Sequence, residues 1–457
     1  MPHNFELPIP QGGRNRLAAA WLKLGVLALL ASGAFSILLV LSRTPSLYEL
    51  IPWVDFFHTA LVVHVDLSVV IWFLAFAGVL WSVNGRPGGL MWDWLALGLT
   101  GLGTLIVALA PFFGAANPLM NNYIPVLRAP LFFAGGGLIA AGFAILVVRS
   151  LATRIPLNHA WNATDNLRIG LLYSKVTALI ALLAFAASFL LTPTELQGTS
   201  YYEFVFWGGG HILQFTHGLL LLVSWLWLAH ASGHHVPMRG QVGILWFSLA
   251  FSPVLIAPLI YLLGDSVVSA AHREAFTQLM RIGGLTLLPV GLVVVVALFS
   301  RSRPSPEQRP LRAALLSSLL LFTVGGVLGF MIRGINVVIP AHYHGSIVGV
   351  TLAFMGMAYL LLPKLGYATP RGWLPTWQPW VYGSGQLLHI LGLAISGGYG
   401  NIQRKTAGGA QGLENLPEIL GMGMMGLGGL IAIIGGLMFV IVMIKALWIY
   451  QKPDSAA

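Results

Sequence analysis

The chain has 457 residues, of which 57% are hydrophobic and 8% charged, and it contains no cysteine. This composition excludes a soluble globular protein and predicts a polytopic helical membrane protein. The absence of cysteine excludes disulfides, iron–sulfur clusters and thiolate ligation within the chain. The formal net charge of +10 does not indicate nucleic-acid binding, because the 24 Lys and Arg residues lie in short segments between apolar stretches.

The apolar stretches predict twelve transmembrane helices in one all-α domain, residues 1–457. The first stretch, Leu17 to Leu41, is long enough to cross a bilayer and predicts a membrane helix rather than a cleaved signal peptide. The other eleven are predicted to start near Phe56, Trp92, Pro130, Leu171, Glu203, Val242, Ala275, Arg312, His342, Trp380 and Ile419. Most Lys and Arg residues fall on one side, which predicts a cytoplasmic-membrane protein with both termini in the cytoplasm.

Helix 10 is predicted to begin with the sequence Ala341-His342-Tyr343-His344-Gly345-Ser346. At about 100° per residue, histidines spaced i, i+2 point to nearly opposite faces of one helix. Solvated residues at a membrane interface would be the simpler explanation. However, ionisable side chains inside a membrane are costly, and neutral imidazole is the commonest metal ligand. The motif therefore predicts two planar cofactors, one on each face of the helix.

Three further histidines are predicted at a similar depth on other helices. His64 lies in helix 2, His211 in helix 6, and His272 just before helix 8. Because each such residue is costly, we expect these side chains to converge with the helix 10 pair on one cofactor layer. The remaining histidines carry less signal, and we interpret them as solvated loop residues (His234, His235) or hydrogen-bonded packing residues (His58, His217, His389).

Four segments of the chain resemble the catalytic subunit I of the haem-copper oxidase superfamily. They are VVHVDLSVVIWFLAFAGVLW in helix 2, WGGGHILQF in helix 6, AHYHGSIVGVTLAFMG in helix 10, and GGYGNIQRK after helix 11. That superfamily includes terminal oxygen reductases and nitric oxide reductases, and the resemblance covers nearly the whole chain. It implies a twelve-helix fold with two haems, which we expect to be b-type.

The resemblance also implies roles for individual residues. His64 and His344 would be the axial ligands of a low-spin haem, and His342 the proximal ligand of a high-spin haem. Arg404 and Lys405 match the basic pair that meets haem propionates in the outer loop between helices 11 and 12. Finally, His211 matches the helix 6 histidine that binds the active-site copper or non-haem iron.

The chain departs from the superfamily pattern in helix 7. Two adjacent histidines are expected there, but the sequence reads Leu259-Ile260-Tyr261-Leu262-Leu263-Gly264-Asp265. Phe215 also stands where some oxidases place a tyrosine, one turn after His211. Tyr261 is a candidate substitute, although tyrosine at a membrane interface is often only an anchor. A copper site of the usual kind therefore cannot form.

Two arrangements of the distal site remain open. In the first, His211, His272, Asp265 and Glu274 supply N and O ligands for iron or zinc. In the second, which we favour, there is no second metal and His211 faces the haem as a hydrogen-bond donor or a sixth ligand. The glycines at 208–210 would let either a flat macrocycle or a neighbouring helix approach closely.

Two functions follow from these patterns. The first is a haem-containing respiratory reductase of O2 or NO, which receives electrons from a cytochrome c-type or other redox subunit and catalyses with His211, Tyr261 and His272. The second is a dihaem b-type subunit that only transfers electrons within a larger membrane complex. The missing histidine pair favours the second, whereas the retained haem-ligand pattern is compatible with either. Few acidic residues lie within the spans, which favours a protein that does not pump protons.

Overall fold

The computed structural model describes residues 4–41, 56–114, 117–157, 161–264, 266–300, 303–334, 336–398 and 415–448. Long helices dominate this part of the chain, so the all-α polytopic class is confirmed. The helices are α1 (Gly13–Leu41), α2 (Phe56–Val83), α3 (Leu90–Phe112), α4 (Pro130–Ala152), α5 (Ala163–Leu191), α6 (Gly198–Ala231), α7 (Gly240–Leu263), α8 (Ala270–Leu298), α9 (Gln308–Phe330), α10 (Val338–Lys364), α11 (Trp373–Gly398) and α12 (Leu416–Trp448).

Eleven of the described helices are long and apolar enough to cross a membrane, and α11 is the exception. Its 26 residues would span a bilayer, but polar side chains such as Gln378, Gln386 and His389 interrupt its apolar sequence. Each helix nevertheless corresponds to one of the predicted stretches. The integral membrane class is thus confirmed, whereas twelve crossings and cytoplasmic termini stay predictions.

Several helices are interrupted at defined residues. A π-helical turn, Asp66–Ile71, lies within α2 directly after the first helical segment. Short 3-10 segments interrupt α7 at Ser252–Leu255 and α8 at Gly284–Leu287. Proline at the first interruption and glycine at the second explain these breaks.

A short antiparallel hairpin, which the sequence did not predict, connects α3 to α4. Its strands are β1 (Asn117–Leu119) and β2 (Val126–Arg128), and Leu119 pairs with Val126. The turn between the strands is closed by Asn121, whose Oδ1 accepts hydrogen bonds from the backbone amides of Tyr123 and Ile124, both at 2.9 Å. This Asx turn holds Tyr123 in a fixed position.

The chain divides into two compact units. The first unit contains Met1–Val223 and Pro237–Val293, and the second contains Ser224–Val236 and Val294–Ala457. Each has its own apolar core. In the first unit, one cluster joins α1, α2 and the hairpin and another joins α5 to α8; in the second unit, a cluster joins α9, α10 and α11.

The α11–α12 pair of the second unit packs through glycines with a seven-residue spacing. Gly421, Gly428 and Gly435 of α12 contact Ser396, His389 and Tyr382 of α11 respectively. A Cβ atom at any of the three would overlap its partner residue. Such small residues allow close approach of helix backbones in a membrane, and this packing buries the polar face of α11 against α12.

Candidate functional site

His342 of α10 is held against α9 in the second unit. Its Nδ1 lies 2.7 Å from the carbonyl oxygen of Gly325. One turn further along α9, a Cβ atom at Gly329 would come within 2.7 Å of the same Nδ1. Two glycines of α9 therefore provide both the hydrogen-bond acceptor and the space for this imidazole ring.

His344 and His389 lie side by side in the same unit. Their ring centroids are 5.4 Å apart, and Tyr343 stacks on His344. The Nδ1 of His344 lies 2.9 Å from the carbonyl oxygen of Pro340, and that of His389 lies 3.0 Å from the carbonyl oxygen of Met425. Sequence reasoning treated His389 as an ordinary packing residue. Its 45-residue separation from His344 hid this pairing.

His64 of α2 has a similar environment in the first unit. Its Nδ1 lies 3.0 Å from the carbonyl oxygen of Ser32 and 2.9 Å from the hydroxyl oxygens of both Ser32 and Ser36. The Ser32 hydroxyl donates to the carbonyl of His64, and the Ser36 hydroxyl donates to the carbonyl of Ser32. Both hydroxyl oxygens are therefore free to accept a proton from Nδ1.

These four histidines share one hydrogen-bonding arrangement. A backbone carbonyl can only accept, which favours a proton on Nδ1 in each of these four neutral rings and leaves the lone pair on Nε2. Metal-ligating histidines are typically oriented in this way by a carbonyl on the opposite nitrogen. All four residues are half-buried, and three of them, His64, His342 and His344, lie in strongly apolar helices. They are suited to coordinate a metal through Nε2.

His211 of α6 lies in a different, fully enclosed environment in the first unit. The residue is only 4% exposed, and its ring contacts Tyr123, Trp207 and Phe276 with centroid distances of 4.9, 4.7 and 5.7 Å. Its Nδ1 lies 2.7 Å from the carbonyl oxygen of Trp207 and 2.7 Å from the phenol oxygen of Tyr123. The same ring nitrogen therefore faces two groups: a carbonyl, which can only accept a hydrogen bond, and a phenol, which can also donate one.

Tyr123 reaches His211 from the tip of the hairpin. The neighbouring Asn122 anchors the hairpin to α6, where its backbone amide donates to the Glu203 carboxylate at 3.1 Å and its side-chain amide bonds the same carboxylate. Burial raises the pKa of Tyr123 well above its usual value, and the charge of Glu203 raises it further. The phenol therefore stays protonated at neutral pH. No motif marks Tyr123, which is why sequence reasoning missed it.

Tyr261 and His272, the other two predicted distal residues, lie in the same part of the first unit. Their rings are 5.0 Å apart, and the Phe276 ring contacts both of them as well as His211. The structure thus brings the three predicted residues together around an aromatic ring. The Tyr261 hydroxyl itself contacts α5, where its oxygen lies 2.8 Å from the Ser188 hydroxyl oxygen and 3.2 Å from the carbonyl oxygen of Ala184.

The described residues contain no group of three or more His, Asp or Glu residues able to hold a metal ion. Glu274, a predicted ligand, is exposed and accepts a hydrogen bond from Gln278. Asp265, the fourth residue of that predicted set, lies outside the described residues, as do Arg404 and Lys405. The predicted propionate contacts therefore stay predictions.

The glycines at 208–210 accommodate aromatic side chains. A Cβ atom at Gly208, Gly209 or Gly210 would overlap Tyr261, Phe185 or Tyr123 respectively. Of the two explanations open from the sequence, the structure shows close packing with neighbouring side chains. Consequently, the glycine run is what lets Tyr123 reach His211.

A buried acid follows His64 on α2. Asp66 opens the π-helical turn and is 6% exposed, and its Oδ1 has no hydrogen-bond partner within the part of the chain that the structure describes. π-turns often occur at functional sites, and a buried carboxylate oxygen without a partner points to an additional group or water. Both features make the region next to His64 a candidate functional site.

Comparison with known proteins defines relatives of the chain. The uncharacterized protein RP382 of Rickettsia prowazekii (strain Madrid E) is 32% identical over 516 aligned positions, covering 95% of this chain and 96% of the relative. An uncharacterized protein of Aquifex aeolicus (strain VF5) is 28% identical over 357 positions, covering 77% of this chain and 86% of the relative. No protein-family model matches the chain. Neither relative's name states an activity.

Proposed function

This chain belongs to the family of protein RP382 from Rickettsia prowazekii, and we propose that it is a membrane-embedded haem oxidoreductase of a respiratory chain. In this proposal, His64, His342 and His344 are axial ligands of two b-type haems. The substrate is a small gas, O2 or NO, and the electron donor is a cytochrome c-type or other redox subunit. The resemblance to the haem-copper oxidase superfamily supplies the reaction class.

The observation that carries the proposal is the common orientation of these histidines. Each has Nδ1 directed at a backbone carbonyl, as is common for metal-ligating histidines, and each is half-buried within an apolar helix. The partnerless Asp66 oxygen beside His64 supports the same region. A bound haem would supply reversible iron reduction and, where an axial position is open, a binding site for a gas. The protein residues fix the imidazoles and exclude water.

The principal test is the haem content of the purified protein. We expect a pyridine haemochrome assay to give two b-type haems per chain, and a value of one or none would contradict the proposal. Replacing His64→Ala or His344→Ala should remove the six-coordinate spectral signature and leave that of the second haem. His58→Ala, on the same helix as His64, is the matched control and should keep both haems. Chain yield must be measured alongside, because loss of both haems would indicate misfolding.

The electron-transfer function is the second candidate, and one observation favours it. Phe276 contacts His211, Tyr261 and His272, and so occupies the centre of the group where a second metal would be expected. A reduced-minus-CO difference spectrum distinguishes the two functions. A CO-responsive haem that His342→Ala abolishes supports the reductase. No CO response, with turnover of neither NO nor O2, supports the electron carrier.

A further inference from the structure

The hydroxyl of Tyr123 requires a hydrogen-bond acceptor. Tyr123 is half-buried, burial raises the pKa of its phenol so that it stays protonated, and its oxygen lies 2.7 Å from His211 Nδ1. A buried hydroxyl proton without an acceptor costs free energy, so such protons are almost always bonded. If Nδ1 carried a proton, it could not accept the phenol proton. A lone pair on Nδ1 satisfies Tyr123 directly.

The Trp207 carbonyl favours the opposite tautomer but needs no bond from the ring. As part of α6, this carbonyl already accepts the backbone amide of the residue four positions on, His211 itself. Its contact with Nδ1 at 2.7 Å would be a second bond. The two partners of Nδ1 thus compete, and only the phenol loses its acceptor when the carbonyl prevails.

We propose that Tyr123 is a positioning residue that donates to Nδ1 of His211 and thereby places the ring proton on Nε2. His211 then presents an N–H donor, whereas His64, His342, His344 and His389 present a lone pair. The site would take a ligand that accepts a hydrogen bond, such as a bound diatomic gas or its reduced oxygen atom. The identity of this ligand rests on the proposed function, whereas the tautomer assignment does not.

The decisive measurement is nitrogen NMR of the protein labelled with ¹⁵N-histidine. Protonated and unprotonated ring nitrogens differ strongly in chemical shift, so the spectrum reports the tautomer of each ring. His211→Gln assigns the His211 signals by their loss. We expect the Nε2–H tautomer for His211 in the native protein. Tyr123→Phe keeps the ring packed on Gly210 but removes the hydroxyl, so His211 should convert to the Nδ1–H tautomer, bonded to Trp207.

Matched variants separate this effect from general disturbance. Tyr202→Phe removes a different phenol, one that lies on α6 with His211 but stacks on Phe133 and Phe206. This variant should leave the His211 signals unchanged. Gly210→Ala, whose methyl group would displace the Tyr123 ring, should reproduce the Tyr123→Phe tautomer. An Nδ1–H tautomer in the native protein, or an unchanged tautomer in Tyr123→Phe, would overturn the proposal.

The haem content of the same samples separates the role of Tyr123 from the proposed function. A protein that binds no haem but shows the tautomer change would refute the proposed function and leave the role of Tyr123 intact. If the protein binds two haems but the His211 tautomer is the same in the native protein and in Tyr123→Phe, only the role of Tyr123 is refuted.

Discussion

His211 in the first unit and His342 in the second differ in their surroundings, although both place Nδ1 2.7 Å from a backbone carbonyl. His342 is half-buried on a glycine surface of α9, and a carbonyl is its hydrogen-bond partner. His211 is enclosed by aromatic rings and also meets the phenol of Tyr123. In our proposals, the same residue type coordinates a metal in one unit and donates a hydrogen bond in the other. The hydrogen-bond partner of Nδ1 decides whether Nε2 carries a proton or a lone pair.

The largest expected effect comes from breaking the helix pairing in the second unit. In Gly428→Ala, the new methyl group would overlap the backbone of His389, and a backbone cannot move aside as a side chain can. We expect a loss of about 3 kcal/mol or more in unfolding free energy and, if the proposed function holds, loss of the haem assigned to His344. Gly426→Ala is the control, since a Cβ atom there meets nothing within 4 Å. Thermal unfolding and haem content, measured on both variants, check this; equal stability would contradict it.

A smaller effect is expected where the neighbour is a side chain. In Gly329→Ala, the methyl group would lie 2.7 Å from Nδ1 of His342, so the ring must rotate away from the Gly325 carbonyl. We expect the unfolding free energy to fall by about 1–3 kcal/mol and, if the proposed function holds, the spectrum of the haem assigned to His342 alone to change. Gly326→Ala, three residues earlier with open space around it, should keep the native spectrum. If both variants gave the same spectrum, α9 would not position His342.

These glycines show what sequence reasoning can and cannot reach. Hydropathy located the long helices that the structure describes, because each apolar stretch lies within one continuous segment and can be recognised without knowing its neighbours in space. The i, i+2 pair on α10 was likewise readable, since helical geometry fixes the angle between His342 and His344. By contrast, the contacts of Gly329, His389 and Tyr123 depend on segments far apart in the chain. No local pattern encodes them.

The helix 7 region teaches the same lesson about function. The missing histidine pair was evident from the sequence, and so was the uncertain role of Tyr261. The structure adds that the Tyr261 hydroxyl bonds Ser188 and Ala184 of α5, and that Phe276 contacts all three predicted distal side chains. Sequence spacing cannot predict which ring fills the centre of such a group, because several rotamers of each aromatic residue are compatible with a helix.

The serines beside His64 give a more modest test. In Ser36→Ala, one of the oxygens that face His64 Nδ1 is lost, but the Ser32 carbonyl remains at 3.0 Å. We expect a loss of about 1 kcal/mol in unfolding free energy and, if the proposed function holds, full retention of the haem assigned to His64. Haem loss in Ser36→Ala would show that the carbonyl alone does not fix the ring.

The smallest expected effect concerns His234, which follows α6. The sequence interpretation of this residue as solvated was wrong, because the folded chain buries it and leaves it 5% exposed. Burial lowers the pKa of His234 below its usual 6.5, and the charge of Arg312 lowers it further. Ser300 donates its hydroxyl proton to the Ala297 carbonyl at 2.7 Å, so its oxygen can accept from His234 Nδ1 at 3.3 Å. Within the described part of the chain, Nε2 is buried without a partner, so protonation would add a donor that has no acceptor.

Because the folded state lowers this pKa, the unfolded chain binds a proton first as the pH falls. The contribution of His234 to stability is therefore intact above about pH 6.5 and declines as the pH falls below that value towards the lower folded pKa. His234→Gln cannot take up this proton, so its melting temperature should fall less between pH 7 and pH 5 than that of the native protein. His235→Gln, with an exposed side chain next in sequence, should follow the native profile. Because the membrane histidines contribute equally to all three proteins, parallel profiles for native protein and His234→Gln would mean that His234 does not titrate on unfolding.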